Sequence, residues 1–297
     1  MPIDNAQKTQ MQSGAGFIAA LDQSGGSTPK ALSLYGVEPE DYNGETEMFQ
    51  AMHDMRARII LADDFTSSKV IGAILFERTM DATINDKPVA QLLWEDRGVV
   101  PFLKIDKGLA DQENDVQLLK PMPELAALLN RAKAAGIFGT KERSVIHEAN
   151  EAGIEAVVAQ QFEVAKQVCA AGLVPIIEPE VNIHSGTKAR AEQMLAAALL
   201  RHVEALSADE LVMLKLTIPE QPGIYDALAD HANVLRVVAL SGGYSTEEAC
   251  ARLAQNTKMI ASFSRALTEG LNVKMSDAEF NAALGANIDQ IYKASLA

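Results

Sequence analysis

Eight short, near-continuously apolar runs recur along the chain, separated by longer stretches in which apolar residues return at helical spacing. The runs are FIAALD from Phe17, VIGAILFE from Val70, VPFLKID from Val100 and GIFGTK from Gly136, then LVPIIEPE from Leu173, ELVMLKL from Glu210, LRVVALSGG from Leu235 and MIASFSRAL from Met259. They are too short for helices, rich in Val and Ile, and lack polar alternation, as strands of a parallel sheet buried on both faces should be. Between them, PELAALLNRAKAAG opens on Pro123 and stops at Gly136, a good pair of helix punctuators. Two longer Ala/Leu-rich stretches follow, from Ile146 and from Thr187, and the last segment opens with Ser276 and Glu279 at capping-box spacing. Strand and helix alternating eight times predict a (β/α)8 barrel, with residues 1–297 as one domain. The long gap from Gln23 to Lys69 contains GETEMFQAMHDMRARII, which reads as an added helix rather than a second domain.

Composition narrows the classes. A chain of 297 residues with 48% hydrophobic residues suits one α/β barrel. Lys plus Arg is 26 and Asp plus Glu is 40, so the formal charge is 26 − 40 = −14. That balance opposes general binding to nucleic acid or to an anionic membrane, but not binding of a small anion by a local cation cluster. Cys169 and Cys250 both fall in helix-like patterns and form neither a disulfide framework nor a cysteine metal site. The polar N-terminus MPIDNAQKTQMQSGAG lacks the apolar core of a signal peptide, and no apolar run approaches about 18 residues. A cytoplasmic protein is expected.

Barrel enzymes carry their chemistry at the C-terminal ends of the strands, where residues two apart share a face. Here that rule collects charge. Strand one ends in Asp22, strand three carries Lys104 and Asp106, and strand four ends in Lys141 with Arg143 two further on. Strand five ends in Glu178 and Glu180, strand six carries Lys215, strand seven ends in Ser241, Gly242 and Gly243, and strand eight in Ser264 and Arg265. A single charge at a strand end usually just leaves the core for solvent. Charges at this many ends, several flanked by apolar residues, predict one mutually compensating cluster, because buried charges are costly unless paired. Lys215 is the most telling, set between Leu214 and Leu216 in ELVMLKLTIPE. Burial and nearby ammonium groups disfavour the protonated form of such a lysine. A neutral amine can attack a carbonyl, and the resulting iminium draws electrons from a neighbouring carbon–carbon bond. Glu178, placed before a proline at a strand end, is the best candidate for moving protons.

Two stretches look like anion sites. LSGGYSTEEA gives two glycines and then Ser245 or Thr246 to cap a helix, where exposed N–H groups favour phosphate, with Arg265 in reach. LDQSGGSTPK supplies Ser24 and Ser27 on a glycine-rich turn. Each Gly-Gly alone is more often a plain turn. Two such sites flanking a lysine cluster suggest a substrate with two phosphates. The five histidines, His53, His147, His184, His202 and His231, show no metal-binding spacing, and no GxGxxG follows a strand, so neither a metal nor a dinucleotide cofactor is expected.

Together these residues resemble class I fructose-bisphosphate aldolase in its shorter, bacterial form. The motifs VPIIEPE, VMLKLTIP, LKIDKG, KERSVI and LSGG occur in the family's order from FIAALDQSGGSTPKAL to FSRAL. The resemblance implies that Lys215 is the Schiff-base lysine, Glu178 the proton-transfer residue, Asp22 and Lys141 catalytic supports, and Glu180 a partner just behind them. It implies that Ser241, Gly242 and Arg265 hold the ketose 1-phosphate, and that Ser24, Ser27, Lys104 and Arg143 contact the other end of a sugar bisphosphate. No metal is implied. Family members are often tetramers, which leaves homo-oligomer formation open. Longer relatives carry a tail with a functional tyrosine, whereas Tyr292 lies inside the last helical pattern and is not expected to take that part. Two alternatives compete: another Schiff-base barrel such as a transaldolase-like enzyme, whose substrates carry one phosphate, and a non-catalytic sugar-phosphate-binding barrel.

Overall fold

A computed structural model describes residues 3–297. Its eight barrel strands are β1 (Phe17–Leu21), β2 (Val70–Leu75), β3 (Val100–Lys104), β4 (Gly139–Ile146), β5 (Val174–Val181), β6 (Val212–Thr217), β7 (Val234–Leu240) and β8 (Met259–Ala261). They pair in parallel in chain order, and the Ala20 N–H donates to the Phe263 carbonyl at 3.2 Å, which brings the last strand back to the first. Helices α1 (Asn5–Ser13), α2 (Thr28–Leu34), α3 (Gly44–Leu61), α4 (Glu77–Met80), α5 (Val89–Arg97) and α6 (Leu125–Ala134) accompany the first half. The second half carries α7 (Glu151–Ala170), α8 (Lys188–Glu204), α9 (Asp226–Ala229), α10 (Thr246–Leu253), α11 (Arg265–Thr268) and α12 (Asp277–Ala294). Among the described residues, no helix is long and apolar enough to cross a membrane.

The strand composition explains the two cores. One apolar cluster fills the barrel and includes Ile18, Ile74, Phe102, Phe138, Val174, Ile176, Met213, Val238 and Ile260, with Phe102 and Phe138 meeting edge to face at 5.5 Å. The larger cluster lies between strands and helices. Both faces of most strands are therefore apolar, which is why those runs show no alternation, whereas β4, GTKERSVI, buries polar side chains on both faces. Side chains fill the barrel interior, so a polar group entering it must do so at the rim.

Two boundaries differ from the sequence reading. The strand expected at Gly136 begins at Gly139 and continues to Ile146, because Gly136 and Ile137 bond back to α6 and only from Phe138 does the chain bond to β3 and β5. The eighth strand stops at Ala261, so Ser264 and Arg265 are not on it; Arg265 opens the short helix α11. The sequence reading also had no element for residues 5–13. These form α1, capped by Asp4, whose fully buried Met11 plugs the interior cluster from below. The added helix appears as α3, and the Ser276–Glu279 capping box opens α12 as expected.

One buried group has a measurable consequence. Lys141 and Arg143 point into the barrel mouth, so Glu142 between them faces α7, wholly buried, with neither carboxylate oxygen partnered among the described residues. Burial, reinforced by Asp106, holds its carboxyl well above the usual carboxylate range. In the unfolded chain a glutamate titrates near about 4.3. The stability tied to Glu142 is therefore full below that pH and is lost as pH rises toward the folded value. Glu142→Gln removes this loss. We expect its melting temperature to exceed that of the parent by about 2–6 °C at pH 8, with little difference at pH 4. Equal shifts at both pH values in thermal unfolding would contradict a buried neutral acid.

Candidate active site

The C-terminal ends of the strands open into a cavity of about 650 Å³. Asp22, Lys104, Lys141, Glu178 and Lys215 line it, each brought there by its own strand or strand end. Lys141 Nζ lies 2.7 Å from Asp22 Oδ2 and 2.8 Å from Glu178 Oε2, and Lys215 Nζ lies 3.0 Å from Glu178 Oε1. These four side chains form a chain of alternating sign with little exposure to water. Lys104 pairs with Asp106 at 2.6 Å, and Arg143 with Glu180 at 2.7 Å.

Burial alone would raise the Asp22 carboxyl, but the charges of Lys141 and Lys215 override it and hold the group far below the usual range. Lys141 is the mirror case. Burial pulls its ammonium down, Asp22 and Glu178 push it up, and the carboxylates prevail. Lys141 is therefore a fixed cation and a poor nucleophile. Lys215 touches one carboxylate where Lys141 touches two. The crowd of ammonium groups expected around Lys215 is corrected by this geometry: the charge nearest to it is the carboxylate of Glu178.

The strand ends are held firmly. The Thr217 hydroxyl accepts from the Val181 N–H at 2.9 Å and donates to the Val181 carbonyl at 2.8 Å, tying β6 to β5 just beyond Lys215 and Glu178. The loop after β6 is anchored from α8. Buried Lys188, paired with Glu192, donates to the Ile218 carbonyl at 3.0 Å, while Glu192 accepts from the Glu220 N–H at 3.0 Å.

On one rim, β7 runs into Ser241, Gly242 and Gly243. Gly242 has φ +60° and a Cβ there would meet Ile183 at 2.5 Å, while Gly243 has φ +132°, so the turn requires glycine at both positions. Ser245 then caps α10 by accepting from the Glu248 N–H. The Arg265 guanidinium lies against Gly243, 3.4 Å from where its Cβ would be. Past the end of β8, Ser24 and Ser27 sit on the turn between β1 and α2, where the Ser27 hydroxyl accepts from the Ser24 N–H and donates to the Ser24 carbonyl, each at 3.0 Å. Among the described residues, Arg265 and Lys30 make no ion pair, whereas the other cavity cations, Lys104, Lys141, Arg143 and Lys215, each face a carboxylate. Unpaired cations from two separate elements, α2 and α11, lining one cavity are what a ligand with two anionic ends requires.

Of the site residues read from sequence, all but Gly243 line this cavity, including Ser241, Gly242, Ser264, Glu180 and Arg143. Ser264 accepts at Oγ from Gln23 Nε2 at 2.7 Å, so its hydroxyl is already engaged. Tyr292 packs on the main core from α12 and does not line the cavity. Sequence reasoning missed Lys30, which reads as an ordinary helix-surface lysine. It also missed Ser262, whose buried hydroxyl has no partner among the described residues. Counting two residues on from Ile260 along the strand end would have found Ser262. Nothing in the sequence marks Lys30 apart from its place after the LDQSGG turn.

A barrel whose mouth sets a buried lysine against a carboxylate, between two free cations, has the parts of an imine-forming lyase. A sequence model of fructose-bisphosphate aldolase class-I matches residues 3–222. A fructose-bisphosphate aldolase class 1 from Synechocystis sp. (strain ATCC 27184 / PCC 6803 / Kazusa) is 56% identical over 290 residues, spanning 98% of this chain and 97% of the relative. The chain belongs to the class I fructose-bisphosphate aldolases, lyases that work through a lysine Schiff base and without a metal. Among solved structures, the fructose-bisphosphate aldolase of Plasmodium falciparum, crystallised with TRAP and a small-molecule inhibitor, superposes with a TM-score of 0.79 at 20% identity, over 100% of this chain and 96% of that one. A Corynebacterium glutamicum protein superposes with 0.54 at 14% identity, over 98% and 92%. At these identities both likenesses speak for the barrel fold alone.

Proposed function

We propose that the chain reversibly cleaves fructose 1,6-bisphosphate to dihydroxyacetone phosphate and glyceraldehyde 3-phosphate, in the cytoplasm, with Lys215 as the imine-forming residue and residues 1–297 acting as one domain. The observation that carries the assignment is the chain Asp22–Lys141–Glu178–Lys215, in which Lys215 is the buried lysine held by a single carboxylate. In this reading the Lys215 amine attacks the ketose C2, and the C2 oxygen leaves as water. Glu178, 3.0 Å from the amine, supplies and removes the protons of that exchange. The iminium accepts the electron pair of the C3–C4 bond as the C4 hydroxyl loses its proton, the aldehyde departs, and an enamine remains. Protonation at C3 and hydrolysis then return the free amine. Asp22 and Lys141 flank the breaking bond as a fixed ion pair and stabilise charge there without titrating. Glu180 orients Arg143 toward the substrate.

The two free cations divide the phosphates. Arg265, with Ser241, Gly242 and Gly243, takes the 1-phosphate; Lys30, with Ser24 and Ser27, takes the 6-phosphate, and Lys104 and Arg143 contact the chain between. Comparing fructose 1,6-bisphosphate with fructose 1-phosphate tests this. Arg265→Ala should weaken kcat/KM for both by about 1.5–3 kcal/mol, the range for a hydrogen bond to a charged group. Lys30→Ala should weaken only the bisphosphate, by a similar amount. Activity should persist in EDTA. A Lys30→Ala enzyme that loses as much on fructose 1-phosphate would overturn the division, and no cleavage of either ketose by the parent enzyme would overturn the function.

A further inference from the structure

We infer that Arg56, on the added helix α3 outside the barrel, is a positioning residue for Asp22, an inference that rests on the reading of Asp22 given above. Arg56 is only 2% exposed. Its Nη2 donates to the Gln23 carbonyl at 2.5 Å and faces Gln23 Oε1 at 3.4 Å, while Nη1 donates to the buried Thr79 hydroxyl at 2.9 Å. Gln23 is the residue immediately after Asp22, and its own side chain donates to Ser264 across the β8 end. Gln23, the residue that follows Asp22 out of β1, is thus held at its backbone carbonyl from one side and through its side chain from the other.

Charge makes the placement more than a strut. A buried cation is costly unless something compensates it. Arg56 makes no ion pair among the described residues, and the acidic group whose charge acts on it is Asp22. Burial draws the guanidinium down to about 10, with Asp22 opposing, so it stays charged at neutral pH. Asp22 therefore supports the charge of Arg56 across the end of β1, while Lys141 holds Asp22 from the cavity side. A planar guanidinium can bond Gln23 and Thr79 at once, and a lysine ammonium reaches this geometry poorly. A misplacement of about 1 Å at a group acting on the reacting bond costs up to about 100-fold in rate.

The test is the steady-state kinetics of Arg56→Met and Arg56→Lys, with folding checked by circular dichroism and borohydride trapping of dihydroxyacetone phosphate measured alongside. Arg56→Met should lower kcat for cleavage by about 10–100-fold, with KM within about threefold and the trapped yield unchanged, since the Arg265 site and the Lys215–Glu178 pair are left alone. Arg56→Lys, which keeps the charge but not the double hold, should recover part but not all of kcat. A folded Arg56→Met enzyme with parental kcat overturns the inference, as does a general scaffold defect in which kcat and trapping fall while KM rises well beyond threefold. If Arg56→Met does not fold, Arg56→Lys decides, and parental kcat there overturns the inference. Asp22→Asn, run in parallel, separates the premises. If it keeps full activity, the reading of Asp22 falls; if it is crippled while folded Arg56→Met is not, only the role of Arg56 falls.

Discussion

Replacing Lys215 with methionine should leave a folded barrel whose cleavage of fructose 1,6-bisphosphate is slower by on the order of 10⁴–10⁶, the scale seen when a covalent nucleophile is removed. Methionine matches the length of the lysine stem, and the strand that carries it is buried along its whole length. The charge ledger also tolerates the change. Glu178 loses one cation but keeps Lys141 at 2.8 Å, so no buried carboxylate is left unpaired. No other group takes over the chemistry, because Lys141 is held protonated by two carboxylates. Circular dichroism and thermal unfolding close to the parent, with activity at the detection limit, is the expected result. A folded Lys215→Met enzyme with near-parental turnover would remove the lysine from the mechanism.

Glu178→Gln should fail differently. The amide keeps the shape and can still accept from one lysine, but it cannot carry a proton between the Lys215 nitrogen and the substrate. Turnover should fall by about 10²–10⁴-fold. Imine with dihydroxyacetone phosphate should still form, more slowly, and be trapped by borohydride on Lys215. Removing one partner of a buried ion network also destabilises, by about 3–5 kcal/mol where the remaining charge is left without compensation. Here Lys141 keeps Asp22 and Lys215 loses its carboxylate, so the cost falls on Lys215. A Glu178→Gln enzyme that turns over normally, or one that traps no imine while folded, would contradict the separation of covalent and proton-transfer roles.

How much of this was legible beforehand depended on whether a residue's task is written in its own neighbours. Lys215 was legible because an ammonium between two leucines in a strand-length apolar run has no bland explanation. Glu178, Lys141 and Asp22 followed from the barrel rule, which fixes where strand ends meet without any knowledge of loops. The eighth strand was overextended because MIASFSRAL is apolar enough to continue, yet pairing to β7 ends at Ala261 and the chain turns into α11. Lys30 and Arg56 were illegible for a different reason. Each lies on a helix with neighbours that allow full exposure, and only the packing of α2 and α3 over the end of β1 turns one toward the cavity and buries the other. The balance of the mouth was half legible. The sequence lists the cations and carboxylates, but which carboxylate stands beside which lysine depends on sheet register, such as Lys141 opposite Ile176 and Arg143 opposite Glu178.

The central claim is that Lys215 alone forms the covalent intermediate, and borohydride reduction in the presence of dihydroxyacetone phosphate, followed by peptide mass mapping, tests it most directly. The parent enzyme should carry one reduced adduct, on the peptide containing Val212–Thr217 and at Lys215, and Lys215→Met should carry none. An adduct on Lys104, Lys141 or Lys30, or no adduct on an active enzyme, would contradict the claim.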